Sequence, residues 1–179
     1  MGCSGIPCCR GKSTGSREVK LKLQRDQLIH DINNYAYIEG HVMGEDDECR
    51  RHVTIDIGQE GNIDRVSRIL AVVHAGVLEM LYPYTKKEVE EEVIDNRFWE
   101  PEDYMIVLRV PETMSQTTMH LLCRLIHEYM VYRVLADWLS ITKMEGAEVW
   151  AAKAEATAAE INRVKNLRRG ALTRPMHPF

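Results

Sequence analysis

Few side chains in this 179-residue sequence fall at spacings that chemistry requires. His127-Glu128 opens like a zinc-binding HExxH, but the position that should hold the second histidine is Val131. His120 and His127 are seven residues apart on one predicted helix and can share a face. Two histidines fall short of the three or four ligands zinc normally takes, so a capping or interface role is expected for them and no metal site. Asp46, Asp47 and Glu48 are an acidic cluster without the alternation, central Gly and closing Glu of an EF-hand loop. There is no glycine-rich phosphate loop, no GxGxxG and no GxSxG. The run Glu88, Glu90, Glu91, Glu92 reads as a solvated face. No carboxylate pair stands out among 27 acids. The expectation is a non-enzymatic protein with no catalytic residues, no metal and no cofactor.

The five cysteines point the same way. Cys3, Cys8 and Cys9 crowd the first nine residues, while Cys49 and Cys123 stand alone. An odd count in a chain of this length does not suggest a disulfide scaffold. Adjacent Cys8-Cys9 with no nearby His is poor zinc-ligand spacing. Met1-Gly2-Cys3-Ser4 has the look of an acylated terminus, but position 6 is Ile6 where that pattern takes Ser or Thr. Cys123 is expected as a small core residue.

Charge is distributed unevenly. The net charge is -4, yet residues 1–25 carry +5 and residues 163–174 another +5, leaving -14 for the rest. Two basic ends therefore flank an acidic body. Such ends suit nucleic acid or an acidic protein neighbour, and they are equally compatible with solvated tails. No apolar run approaches the ~20 residues of a membrane span. The N-terminus lacks a signal-peptide core, so an intracellular, membrane-free protein is expected.

Periodicity supplies the elements. Residues 1–16, with four Gly and three Ser, read as a flexible arm. A helix is expected from Glu18 to Ile38, followed by an acidic loop at Gly44–Glu48. His52–Ile57 alternates and predicts a short strand. Asn62 is a suitable N-cap for a helix over Ile63–Leu81, stopped by Pro83. A short helix is possible over Lys86–Val93. Tyr104–Val110 alternates and predicts a second strand, which would pair with the first as a ribbon.

The longest helix is expected over Ser115–Ser140, with Thr113 and Gln116 as a capping box. It is apolar around most of its girth, as a central or interface helix is. Thr142 and Glu145 form a second capping box. The helix they start runs to about Arg169 with Gly170 beyond it, and has a heptad-spaced seam at Trp150, Ala154, Thr157, Ile161 and Val164. The fold class is thus mainly α: a bundle of about four main helices, a minor two-stranded β ribbon and extended terminal arms. The domain plan is an arm over 1–16, a helical domain over 17–170 and a tail over 171–179.

Two features suggest interaction surfaces. Tyr129, Tyr132 and Trp138 cluster on the longest helix with Met130, a composition that suits interfaces as well as ordinary cores. Arg163, Lys165, Arg168, Arg169 and Arg174 make the basic C-terminal end.

The order of elements resembles the small helical head-to-tail connector (adaptor or neck) proteins of tailed bacteriophages. The resemblance rests on Ile63–Leu70 running into Ala75–Tyr82, then Tyr104–Pro111, then Leu121–Leu139, and covers about residues 60–145. It implies a virion neck subunit, assembled in the host cytoplasm into a homo-oligomeric ring, commonly of twelve copies. That ring would dock on the portal protein and the tail or neck proteins, with a channel passing DNA and non-specific contact to it. No catalytic residues carry over, because the family has none. The rival reading is a small helical nucleic-acid-binding or regulatory protein that uses its basic termini as phosphate clamps. Against it stand the acidic body and the lack of helix-turn-helix spacing.

Overall fold

The computed structural model describes residues 15–42, 48–87, 96 and 100–166. The Cys-rich arm, most of the acidic loop, most of the expected 86–93 helix, Arg168, Arg169, Arg174 and the C-terminal tail lie outside the described residues. The elements follow one another as β1 (Ser16–Gln24), α1 (Arg25–Val42), α2 (Glu48–Ile55), a 3-10 turn (Asp56–Gly58), α3 (Glu60–Met80), β2 (Asp103–Pro111), α4 (Gln116–Thr142) and α5 (Met144–Lys165). The protein is mainly helical, with one two-stranded antiparallel sheet. Among the described residues no helix is long and apolar enough to cross a membrane.

The ribbon exists, but its first strand is not the expected one. β1 pairs with β2 from Ser16↔Pro111 to Gln24↔Asp103. Leu21 and Leu23 are buried and Val19 is partly buried, while Lys20 and Lys22 are exposed. This period of two is a strand pattern, and it corrects the reading of Glu18–Gln24 as the start of a helix. No Gly or Pro separates Gln24 from Arg25, so strand and helix adjoin without punctuation.

His52–Ile57 is the second correction. It lies in α2 and the 3-10 turn. The buried side chains there are Thr54 and Ile57, three apart, while Val53 is half exposed. A helical face, not a strand face, is being buried.

Helix ends also differ from the capping boxes expected. Ser115 caps α4, and Lys143 stands between α4 and α5; neither makes a side-chain cap bond. Thr142 is the last residue of α4 and is buried. α3 begins at Glu60, so Asn62 falls inside its first turn, where its amide donates to the Asp56 carbonyl at 2.9 Å.

α4 is the centre of the molecule. Met119, Leu122, Ile126, Met130, Val131, Val134, Leu135, Trp138 and Leu139 are all buried, on an arc too wide for one partner. α5 folds back along α4 as a helical hairpin, the most extensive helix pairing in the structure. Trp150, Ala154, Ile161 and Val164 of the expected seam are buried, and the Thr157 hydroxyl donates to the Lys153 carbonyl in its own helix. α1 and α3 pack on other sides of α4. The inner face of the ribbon, from Leu21 and Leu23 to Tyr104, Ile106, Leu108 and Val110, belongs to the same core.

Candidate functional site

The most polar junction near the positions named from the sequence is the seam between α1 and α4. At its centre His127 Nε2 donates to Asp31 Oδ2 at 2.7 Å, across 96 positions of sequence. Gln27 Nε2, one turn back on α1, donates to Asp31 Oδ1 at 3.1 Å, and His30 Nδ1 approaches the same oxygen at 3.3 Å. Burial pushes the Asp31 carboxyl up, but the hydrogen bonds from His127, His30 and Gln27 outweigh it and hold the group below its ordinary value. Asp31, Asn34, Tyr35, His127, Glu128, Val131 and Tyr132 line a cleft of about 220 Å³ here.

One turn further along, three rings pack together. Tyr35 meets Tyr132 and Trp150 edge-on at 6.3 and 5.1 Å between centroids, and Tyr132 lies 5.4 Å from Trp150. Such edge contacts suit the ring quadrupoles. Trp150 Nε1 donates to Glu39 Oε1 at 3.1 Å, and Lys143 Nζ donates to Glu39 Oε2 at 3.3 Å. A carboxylate on α1 thus ties down both α5 and the α4–α5 turn. Burial, followed by the neighbouring Glu128 and Tyr35, pushes the Tyr132 phenol up.

An imidazole held by a carboxylate is the base-and-orienter half of a catalytic triad. Cys123 lies one helical turn before His127 and is a free thiol. Burial pushes that thiol up, against a smaller opposing effect of Arg124, which is the reverse of nucleophile activation. What the Asp31–His127 pair does in this geometry is join α1 to α4. Among the described residues no group of three His, Cys, Asp or Glu side chains is arranged to hold a metal ion.

The residues singled out from the sequence fall in different places. Tyr132 joins the aromatic cluster. Tyr129 is partly buried against the core. Trp138 is 5% exposed, with Arg65 stacked 5.5 Å from its ring centroid. Arg163 pairs with Glu160 in its own helix. Lys165 Nζ donates to the Met80 carbonyl at the end of α3, so it satisfies a helix C-terminus inside its own copy. His120 lies 3.2 Å from Gln116 and apart from His127's partner. Arg168, Arg169 and Arg174 are outside the described residues. The sequence did not reveal Asp31, Glu39, Lys143 or the Arg25–Ser67–Glu100 network, in which Arg25 donates to Ser67 and pairs with Glu100.

No protein-family model, curated protein or solved structure matches this chain.

Proposed function

We propose that the chain is a non-enzymatic assembly subunit, a head-to-tail connector that forms a ring in a virion neck between portal and tail. The observation that carries this reading is the order of elements over residues 60–142. α3 runs into an aromatic turn at Tyr82 and Tyr84, a nine-residue strand follows, and a long helix then ends near Trp138. That is the succession on which the resemblance to phage connectors rests.

A second feature supports assembly. The bond between Lys143 and Glu39 brings the end of α1 to the α4–α5 turn. On these two adjoining segments Ile38, Val42, Ile141 and Met144 are exposed, Val42 at 73% and Met144 at 71%. Apolar side chains gathered at one end of a bundle suit burial against another protein. In the ring reading the basic C-terminal arm, with Arg168, Arg169 and Arg174, lies on the acidic body of the next copy, and the channel passes DNA.

Light scattering on the purified protein, alone and mixed with a candidate portal protein, tests the proposal. A closed oligomer in either sample supports it. A monomer or dimer in both, with salt-sensitive DNA binding, would favour the nucleic-acid-binding alternative.

A further inference from the structure

The seam between α1 and α4 repeats one pattern on both sides. On α1 the carboxylate of Asp31 is followed one turn later by the ring of Tyr35; on α4 Glu128 is followed one turn later by Tyr132. Side chains four apart share a helix face, and these four line the same cleft of about 220 Å³. The two helices run in the same direction here, since Asp31 meets His127 and Tyr35 meets Tyr132. The carboxylates therefore lie at one end of the cleft and the phenol rings at the other.

Both carboxylates have capacity to spare. Asp31 accepts from His127 and Gln27 and is approached by His30, which leaves room among the roughly four lone-pair positions of a carboxylate. Its lowered value keeps it ionised. Glu128 is exposed, and among the described residues nothing hydrogen-bonds to it or pairs with it. Arg124, one turn earlier on α4, lines the neighbouring cleft with Cys123 and Gln27. An anion entering between Asp31 and Glu128 would be repelled by both. A cation would be attracted by both, and by the rings, whose faces are negative. The aromatic cluster already takes one ammonium: Lys153 Nζ lies 3.7 Å from the centroid of the Trp150 ring, which packs on Tyr35 and Tyr132.

We propose that this cleft is a binding site for a guanidinium group. The cleft is smaller than the about 300–1,000 Å³ of sites for drug-sized ligands, so it suits a compact charged head. A guanidinium is planar and always charged, donates through a fixed fork of N–H groups and stacks on aromatic rings. Its edge can donate to Asp31 and Glu128 while its face rests on a tyrosine. An ammonium is a point charge and cannot do both as well. The site goes beyond the assembly reading and does not depend on it. The guanidinium can belong to a free small molecule or to an arginine side chain of another protein chain, and the test separates these sources.

Isothermal titration calorimetry on the full chain uses agmatine as the free small molecule and N-acetyl-argininamide as an arginine within a chain. N-acetyl-lysinamide is the ammonium control. At least one arginine probe should bind once per chain, and capped arginine should bind more tightly than capped lysine. Glu128→Gln should weaken binding about tenfold, the worth of one charge-assisted hydrogen bond. Its fold should be intact by circular dichroism, because Glu128 is exposed. Glu155→Gln removes the same charge from an exposed position on α5 and should leave binding unchanged. The proposal is overturned if neither arginine probe binds, if capped lysine binds as tightly as capped arginine, or if Glu128→Gln loses no more than Glu155→Gln. Tighter binding of agmatine would assign the site to a free small molecule, and tighter binding of capped arginine to an arginine of a partner chain; either result supports the site. A monomer that binds the probes would keep this site and remove the ring. A ring that binds neither probe would do the opposite.

Discussion

Asp31 and His127 sit 2.7 Å apart and form a polar link between α1 and α4. Asp31→Asn therefore measures how much that link contributes. The Asp31 carboxyl is held below its ordinary value in the folded chain. A lowered folded value gives stability that is present above the unfolded pKa, about 3.9, and is lost as pH falls through the folded value. The Asn variant should melt below the natural chain at pH 7, and the gap should close as pH falls below the unfolded value of about 3.9. A gap that stays constant over that range would show that the charge of Asp31 contributes nothing.

Trp138 is 5% exposed and belongs to the core of a single copy. Its indole N–H is buried without a partner among the described residues. Trp138→Ala should cost about 3–5 kcal/mol, as large-to-small core changes do. Trp138→Phe, which removes the unsatisfied donor and much less volume, should cost clearly less. Thermal melts of both variants decide. An Ala variant that melts like the natural chain but fails to assemble would move Trp138 to an interface.

Gly40 sets how closely α1 approaches α2. A Cβ there would come within 2.5 Å of Ile55 Cγ1. Replacing a helix glycine by alanine ordinarily gains up to about 1 kcal/mol. Overpacking a close contact costs about 1–3 kcal/mol. The second effect should win, so Gly40→Ala should lower the melting temperature. Ile55→Ala removes the opposing Cγ1 and Cδ1, so Gly40→Ala with Ile55→Ala should cost less than the sum of the two single changes. A stabilised single variant would contradict the close approach of the two helices.

α3, α5 and β2 were legible because each buries one face at its own period. α3 buries Val66, Leu70, Val73 and Val77. α5 buries its heptad seam, and β2 alternates between proline boundaries at Pro101 and Pro111. β1 was hidden because Val19, Leu21 and Leu23 run straight into Leu28 and Ile32 of α1, so two periods merged into one loose helix. α2 was misread because six alternating residues cannot declare a strand when no free partner strand exists. The α1–α4 seam was not legible at all. Asp31, Glu39, His127 and Lys143 are polar residues on half-exposed faces, where hydrophobic periodicity carries no signal. Only the chain's return over some hundred residues brings them together.

The C-terminal arm should act in assembly and not in folding. Arg163 and Lys165 already have partners in their own copy, so the test falls on Arg168, Arg169 and Arg174. Reversing these three to Glu should leave the melting temperature unchanged. It should weaken oligomer or portal association, more strongly at low salt, since charges at the rim of an interface mainly set association rate and salt sensitivity. Normal assembly of the triple variant across a range of salt would mean that these arginines are solvated.

The proposed connector would close copies of this chain into a ring around a channel. Electron microscopy of the purified protein, alone and mixed with a candidate portal protein, reads that closure. Class averages with rotational symmetry and a central opening wide enough for duplex DNA are expected. Particles without rotational symmetry in both samples, or a monomer that leaves the portal bare, would contradict it.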